Sequence, residues 1–369
     1  MRLSVPLETH PLESRVAATP ETIKKYIQAG HQVVVQHHAG LKAGVTDEAY
    51  TAVGASIVDS ADAAFDADLV LKVRAPNADE IKLLRKGSSI VASFNPYRND
   101  TLPAVAAAGV AAFAMELVPR ITRAQSMDVL SSQANIAGYK AVVVAADHYP
   151  RYFPMLMTAA GTVKAARVLI MGAGVAGLQA IATAKRLGAV VEAFDVRAAA
   201  KEQVESLGAK FVEVPVEESG EGGGGYAKEM SDDYKRKQAE LVHQRAQQAD
   251  IIITTALIPG KPAPRLIHRH TIEAMKPGSV IVDLAAEMGG NVEGCEADKI
   301  VTINNVTIIG YTNLPSQVAA DASAMYAKNL LNFLTPMFDK EKGFVINTDD
   351  EVVAATLLCR DGQLLFGQR

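Results

Sequence analysis

One stretch of the sequence, residues 167 to 195, constrains the fold more than any other. It reads RVLIMGAGVAGLQAIATAKRLGAVVEAFD, which is a short apolar strand, a glycine-rich turn, a helix and a second strand ending at Asp195. In the turn, Gly172 permits a tight bend, Gly174 allows a ligand to approach the backbone, and Gly177 lets helix and strand pack closely. The stretch therefore predicts one βαβ unit of a doubly wound α/β sheet.

The same unit predicts a dinucleotide site. The helix N-terminus offers backbone N–H groups and the positive end of the helix dipole to a pyrophosphate. Asp195 lies 18 residues after Gly177, where its carboxylate can accept hydrogen bonds from a ribose. A carboxylate there favours NAD(H) because it repels a 2′-phosphate, although the nearby Arg197 could accept one. The alternative interpretation is a glycine-rich structural turn without a ligand.

Composition indicates a globular protein with a sizeable core, since 49% of its 369 residues are hydrophobic and 21% are charged. The net charge is −4 and no basic block occurs, so no nucleic-acid partner is expected. Cys295 and Cys359 are too few for a disulfide framework or a zinc site, and no metal site is expected. No apolar run approaches the ~20 residues that cross a bilayer, so we expect no direct membrane span.

Strand-like and helix-like segments alternate in both halves of the chain, which predicts parallel sheets with helical crossovers. A helix expected at 321–336 would return to the first domain and make it discontinuous. The sequence thus predicts an α/β protein with two doubly wound Rossmann-like domains, residues 1–135 plus 320–369 and residues 136–319, separated by an inter-domain cleft. Buried strands are expected at 32–37, 68–73, 89–94, 110–115, 167–171, 190–194, 250–254, 279–283 and 306–310.

Residues 120 to 146 break this rhythm with a polar start and an apolar-periodic continuation, which predicts a loop entering a long helix. Several polar groups crowded on a loop at a domain junction suit a ligand cleft. The alternative is a solvated helix start capped by a serine or an aspartate. The polar groups concerned are Arg120, Arg123, Gln125, Asp128, Ser131 and Ser132.

Two other segments allow both a ligand-binding and a purely structural interpretation. Four consecutive glycines, Gly222 to Gly225, precede Tyr226 and predict either a floppy connection or a mobile loop that closes over a ligand. Leu257 and Pro259 follow a predicted strand in TTALIPGKPAP. They line the ligand path if the sheet is doubly wound, or form a proline-rich turn.

A set of longer motifs is specific to one family. RITRAQSMDVLSSQANIAGYKAV, GAGVAGLQAIATAKRLGA, TTALIPGKPAP, MKPGSVIVDLAAEMGGN and GYTNLPS resemble domain I, the NAD(H)-binding component, of the proton-translocating NAD(P) transhydrogenases. The resemblance covers nearly the whole chain, and its close rival is alanine dehydrogenase, which shares the fold.

The resemblance implies the Re/Si-specific NAD(P)+ transhydrogenase reaction. In it, hydride passes directly between NADH on this chain and NADP+ on a partner domain, coupled to proton translocation by membrane subunits. The implied partners are a second copy in a homodimer, formed partly through a hairpin near 154–165, an NADP(H)-binding domain and a membrane domain. The implied location is cytoplasmic and peripheral to a bacterial inner membrane.

The resemblance also carries over site residues by motif. Those implied to be catalytic, by orienting the nicotinamide, are Arg120, Gln125, Asp128 and Ser131. Those implied to bind NAD(H) are Arg120, Ile121, Thr122, Arg123, Gln125, Ser126, Met127, Asp128, Tyr139, Gly172, Ala173, Gly174, Val175, Gly177, Asp195, Val196, Arg197, Gly225, Tyr226, Gln238 and Leu257.

An amino-acid dehydrogenase differs from a transhydrogenase in its need for a proton carrier. The stretch where the alanine dehydrogenases carry a histidine reads SFNPY at 93–97 and has none. Lys72 and Arg15 do match dehydrogenase-like positions, with a structural role as the alternative. An NAD-sensing module without catalysis is the third hypothesis.

Overall fold

The computed structural model describes residues 1–215, 230–258 and 260–367. The chain divides into two compact units. The first consists of Met1–Gln133 and Pro315–Arg369, and the second of Ala134–Leu314. In the region of the chain that the structure describes, no helix is both long and apolar enough to cross a membrane.

The strands of the first unit form an eight-stranded sheet with a short separate ribbon. The main strands are β1 (Arg2–Val5), β2 (Gln32–Gln36), β3 (Ser56–Val58), β4 (Leu69–Arg74), β5 (Ser89–Ser93) and β6 (Ala111–Ala114). Those of the second unit are β7 (Leu156–Thr158), β8 (Gly161–Val163), β9 (Arg167–Met171), β10 (Val190–Phe194), β11 (Lys210–Phe211), β12 (Ile251–Thr254), β13 (Val280–Asp283), β14 (Ile300–Ile303) and β15 (Val306–Ile309). The C-terminal segment returns to the first unit with β16 (Phe338–Asp339), β17 (Gly343–Phe344), β18 (Leu357–Arg360) and β19 (Gln363–Leu364).

The helices lie between these strands in chain order. They are α1 (Pro20–Gln28), α2 (Asp47–Thr51), α3 (Ala61–Phe65), α4 (Ala78–Leu83), α5 (Leu102–Ala107), α6 (Val129–His148), α7 (Val175–Arg186), α8 (Ala200–Ser206), α9 (Asp232–Ala246), α10 (Arg269–Glu273), α11 (Ala319–Leu334) and α12 (Glu351–Thr356). Pro20 occupies the first turn of α1, where its fixed φ suits a helix and its missing N–H costs nothing.

Both main sheets have the doubly wound order. In the first unit the order is β19-β18-β6-β5-β4-β1-β2-β3, and in the second it is β11-β10-β9-β12-β13-β15-β14. In each sheet, the strand that comes first in the chain, β1 or β9, lies in the interior, and later strands add on either side of it. Each sheet therefore has a switch point, beside β1 in the first unit and beside β9 in the second, where ligands bind in such folds.

Strand sequences explain why both faces of each sheet are covered. In β4, Leu69 and Leu71 pack into a core on one face while Val70 packs into the core on the other. In β9, Ile170 and Met171 likewise face opposite cores. Strands buried on both faces must be continuously apolar, and that is the signal by which the sequence located most of them.

The sheet edges differ from the prediction of parallel sheets. Strands β18 and β19 join the first sheet antiparallel to their neighbours, and β14 pairs antiparallel with β15. Short turns join β14 to β15 and β18 to β19, as antiparallel neighbours allow, whereas β18 reaches β6 from a distant part of the chain, directly after α12. The C-terminal strands β18 and β19 thus complete the first sheet.

Candidate functional site

The glycine turn of the second unit connects β9 directly to α7. Gly172 has φ 103°, and its N–H donates to the carbonyl oxygen of Phe194 at 2.8 Å. A side chain at Gly172 would also collide with Thr255. Only glycine adopts this backbone cheaply, so the predicted role of Gly172 in a tight turn is confirmed.

The glycines of this turn have different surroundings, because Gly177 is closely packed whereas the backbone at Gly174 is open. A Cβ at Gly177 would overlap the carbonyl oxygen of Gly172, so helix α7 can approach the strand only because that position is glycine. At Gly174, which precedes the first residue of α7, the nearest atom that a Cβ would meet is an Arg197 nitrogen at 3.9 Å. The turn therefore leaves room for a ligand beside Gly174 and the N-terminus of α7, where a phosphate is favoured.

Asp195 lies beside this turn at the end of β10 and is buried. Its Oδ2 accepts a hydrogen bond from the backbone N–H of Ala173 at 2.7 Å. The guanidinium of Arg197 forms a two-point ion pair with the same carboxylate, with Nε at 2.9 Å from Oδ1 and a terminal nitrogen at 2.7 Å from Oδ2. The carboxylate thus fixes the turn and compensates the charge of Arg197.

The loop after β12 completes this edge of the sheet. The hydroxyl of Thr255 donates to the carbonyl oxygen of Gly172 at 3.0 Å. The fully buried side chain of Asn291 accepts from the N–H of Ala256 at 3.0 Å and donates to the carbonyl oxygens of Ala256 and Pro264. The glycine turn and this loop are therefore held together across the switch point.

Two site residues, Asn291 and Asp283, were not predicted from the sequence, although both belong to the motif MKPGSVIVDLAAEMGGN. Asp283, at the end of β13, is fully buried. It accepts hydrogen bonds from the Thr254 hydroxyl and from the N–H groups of Ala285 and Val292. Burial raises the pKa of Asp283 against the effect of these hydrogen bonds. A buried polar side chain after an apolar strand is the signal that could have indicated both residues.

The remaining predicted residues of this unit are placed as follows. Val196 is half-buried beside Asp195, Gln238 is half-buried on α9, and Leu257 is 43% exposed in the loop after β12. Tyr139 is exposed on α6. Gly225, Tyr226 and Pro259 lie outside the described residues.

The polar loop of the first unit has the predicted form. A 3-10 helix covers Thr122–Met127 and leads into α6, a helix of 20 residues. Asp128 occupies the N-cap position of α6. Its carboxylate accepts from the Ser131 N–H at 2.9 Å and from the Ser131 hydroxyl at 2.5 Å. Asp128, one of the residues implied to be catalytic, thus also caps a helix through Ser131, which is the alternative that composition left open.

The other predicted side chains of this loop differ in exposure. Arg123 is half exposed and forms ion pairs with Asp350 at 2.8 Å and Glu351 at 3.5 Å. Ala124 and Met127 are buried and anchor the loop in the core. The exposed members of the predicted set are Arg120, Thr122, Gln125 and Ser126, and Ile121 is half-buried.

Helix α11 holds this loop through Asn329, which no sequence pattern singled out. Its side-chain nitrogen donates to the carbonyl oxygen of Ser126 at 2.8 Å, and its oxygen accepts from the Ser132 hydroxyl at 2.7 Å. Asn332, one turn later, donates to the same Ser126 oxygen at 3.1 Å. Asn329 is 7% exposed, and asparagine is a poor helix former, so a buried one in a helix indicates a polar contact.

Two family models match this chain. Residues 4–137 match the N-terminal domain and residues 141–367 the C-terminal domain described as alanine dehydrogenase/PNT. The chain belongs to the alanine dehydrogenase/PNT family.

Individual relatives place the chain more closely within that family. It is 53% identical to the first portion of the NAD(P) transhydrogenase alpha subunit of Rhodospirillum rubrum, over 99% of this chain and 98% of that protein. The crystal structure of transhydrogenase from Sinorhizobium meliloti superposes with a TM-score of 0.91 at 51% identity, covering 99% of this chain and 100% of that one. The alanine dehydrogenase of Mycolicibacterium smegmatis is 28% identical over 99% of this chain and 95% of that protein. Within the family, the chain thus groups with the transhydrogenase alpha subunits.

Proposed function

We propose that this chain is the NAD(H)-binding component of a proton-translocating NAD(P)+ transhydrogenase. The observation that carries the proposal is 53% identity to a transhydrogenase alpha subunit along 99% of the chain. The phosphate-binding form of the turn at Gly172–Gly177 supports it independently. Membership of the family by itself would leave amino-acid oxidation as an equal candidate.

In this proposal, the second unit binds NAD(H). The space beside Gly174 and the N-terminus of α7 accept the pyrophosphate, with Ala173, Val175 and Gly177 shaping the turn. Asp195 accepts hydrogen bonds from the adenosine ribose, while Val196, Gln238 and Leu257 lie on the adenosine side. Since Asp195 already compensates the charge of Arg197, this arginine has no surplus charge with which to favour a 2′-phosphate, and NAD(H) is preferred over NADP(H).

Hydride transfer between two nicotinamides needs alignment and no proton carrier. NADH supplies the hydride, and the protein holds the ring where its partner ring can receive it. We assign the orienting role to Arg120, Gln125, Asp128 and Ser131. The 3-10 helix and the N-cap of α6 give this loop a fixed backbone, which is what positioning catalysis requires.

Charge compensation in the first unit disfavours amino-acid oxidation. The ammonium of Lys72 is 1% exposed and lies 3.0 Å from a Glu80 oxygen and 3.3 Å from a Glu8 oxygen. Arg15 is paired with Glu13 at 2.8 Å. Burial alone would raise the pKa of Glu13, but hydrogen bonds from Arg15 and Arg74 hold it at about 2, so the carboxyl stays ionised. Cations so compensated are poor partners for a substrate carboxylate.

The proposed partners follow from the same assignment. NADP(H) is held by a partner domain, and a membrane domain couples hydride transfer to proton translocation. The chain is then peripheral to the inner membrane, on its cytoplasmic side. A homodimer is supported by the hairpin of β7 and β8, on and beside which Met155, Leu156 and Met157 are exposed. An isolated two-stranded hairpin with apolar side chains in water is stable only when something packs on it.

Binding and turnover measurements test the cofactor assignment. Asp195→Ala should weaken NADH binding by about 1–3 kcal/mol in calorimetry, because it removes a charged hydrogen-bond acceptor. Glu213→Ala, which removes an exposed carboxylate paired with Lys201, is the matched control and should bind NADH normally. An unchanged dissociation constant for Asp195→Ala would remove Asp195 from the site. Robust NAD+ reduction with alanine by this chain alone would overturn the proposed function.

A further inference from the structure

Two adjacent histidines in the first unit present their rings on the same side of the chain. His37 follows β2, and its N–H donates to the carbonyl oxygen of Val58 at 2.8 Å. Neighbouring side chains on an extended strand point in opposite directions. Here His38 has φ 64°, and the left-handed backbone brings the two rings together, with centroids 3.5 Å apart.

A carboxylate faces this pair from the next helix. Asp47 is the first residue of α2, and its Oδ2 lies 2.5 Å from Nδ1 of His37. Its Oδ1 accepts from the backbone N–H of His38 at 3.0 Å. The Asp47 side chain is 15% exposed and the His37 side chain is 48% exposed. The carboxylate is therefore largely shielded from solvent, while the imidazole is open to it.

The backbone around these residues is braced, which limits how far the donors can separate. Tyr50 of α2 is fully buried, and its hydroxyl donates to the carbonyl oxygen of Ala18 at 2.8 Å. Its ring fills the space beside Gly40, where a Cβ would collide with it. The Thr46 hydroxyl caps α2 by accepting from the Ala49 N–H.

We propose that His37, His38 and Asp47 form a binding site for a divalent transition metal ion, for which Zn²⁺ is the fitting case. One donor atom from each side chain lies within 4.8 Å of the other two. Two imidazole nitrogens and a carboxylate oxygen suit Zn²⁺, and three protein ligands leave a position for water. The ion replaces the direct contact between the His37 and Asp47 side chains, which move apart to admit it, and it ties the end of β2 to the start of α2. The site is independent of the proposed dinucleotide chemistry.

The test is a calorimetric titration of the chelator-treated full-length chain with zinc chloride. We expect one Zn²⁺ per chain and a rise in melting temperature when zinc is added. His37→Gln, His38→Asn and Asp47→Asn should each weaken binding at least about tenfold, as loss of a metal-site partner does. Asparagine tolerates the left-handed backbone, so His38→Asn removes the ligand and keeps the turn.

A second group of histidines supplies the control. His243, His268 and His270 lie near one another in the second unit, with 5.1 Å between the ring centroids of His243 and His270. His270→Gln should bind zinc like the unaltered chain. The proposal is overturned if the unaltered chain binds no zinc, if the three variants bind as it does, or if His270→Gln abolishes binding. Melting temperatures in chelator identify any variant that fails to fold.

Discussion

At the scale of single residues, side chains of the loop before α6 have both a structural contact, which caps the helix, and a proposed role in orienting the nicotinamide. Asp128 caps the helix through Ser131, and it is also assigned to the nicotinamide. The sequence supported both interpretations, and the structure shows that the capping contact exists. The two roles can be separated because asparagine caps a helix about as well as aspartate but lacks its charge.

Asp128→Asn and Gln125→Asn should therefore slow hydride exchange without comparable loss of NADH affinity. We expect a fall in kcat of roughly tenfold or more, equivalent to about 1.4 kcal/mol of transition-state stabilisation, with a nearly unchanged Kd. Steady-state exchange kinetics and calorimetry on the same preparations measure the two quantities. A parallel loss of rate and affinity would place these side chains in binding rather than in orientation.

Glu116 makes stability depend on pH. It follows β6, and its Oε1 accepts a hydrogen bond from the Asn95 N–H while its Oε2 is buried without a partner. Burial raises the pKa of Glu116 to about 6, against the opposing effect of backbone hydrogen bonds. Because the folded-state pKa is above the unfolded one, the stabilisation from this group is complete below about pH 4.5 and is lost as pH rises through 6.

In the unaltered chain, we expect Glu116 to lower the free energy of unfolding by about 2 kcal/mol between pH 4.5 and 7. Glu116→Gln cannot titrate, so this decrease should be absent from the variant. Urea denaturation at several pH values gives the comparison with the unaltered chain. Glu202→Gln, at an exposed position on α8, is the control and should leave the profile unchanged. Identical slopes for the Glu116 variant and the unaltered chain would contradict the account.

At the scale of elements, continuous apolar runs in the sequence predicted the main buried strands. Strands without such a run were not predicted. The nine predicted strands all occur, each within one residue of the expected bounds at both ends. Strand β1 was missed because Arg2 and Ser4 interrupt its apolar residues, β18 because its apolar run of three residues follows a helix directly, and β19 because it has only two residues. Their places are decided by pairing with β4 and β6, which is information that no local window contains.

Helix α11 contributes to the site through a contact that no motif revealed. The amide of Asn329 connects Ser126 to Ser132, on either side of Asp128. We expect Asn329→Ala to release the loop and slow hydride exchange about tenfold, with a smaller effect on NADH affinity. Asn332→Ala is the matched control, because it removes a second donor to Ser126 and leaves the contact to Ser132 intact.

Kinetics, calorimetry and melting temperature separate this positioning role from a general loss of stability. Equal effects of the two asparagine variants, or a fall in melting temperature with unchanged kcat, would show that Asn329 serves the fold alone. The sequence could not indicate this residue, because a helical asparagine is ambiguous until its partner 197 residues away is known.

At the scale of the whole molecule, the exposed hairpin is the feature that a single chain leaves unexplained. Met157 is 72% exposed and Met155 61%, and Leu156 between them is 37% exposed. If the proposed homodimer forms through the hairpin, Met157→Asp should give a monomer in sedimentation velocity, because a charge there must be desolvated on association. Met325→Asp, at an exposed position on α11, should leave the dimer intact. A dimer that persists in Met157→Asp would exclude this surface of the hairpin as the interface.

How much of the site could be predicted depended on the kind of signal. The glycine turn and Asp195 could be predicted because their spacing has a mechanical meaning within one βαβ unit. Thr255, Asp283 and Asn291 were not found, because their role is to join loops that are far apart in sequence and adjacent only at the sheet edge. The choice between dehydrogenase and transhydrogenase came from the motifs and the comparisons, since both reactions use the same fold.

Isotope transfer is the most direct test of the central claim. The chain is combined with an NADP(H)-binding transhydrogenase domain, NADH carrying deuterium at the transferred C4 position, and NADP+. We predict that the deuterium appears in NADPH without dilution by solvent protons, and that omitting this chain abolishes the transfer. Absence of deuterium from the NADPH formed, or its exchange with water, would contradict direct hydride transfer by this protein.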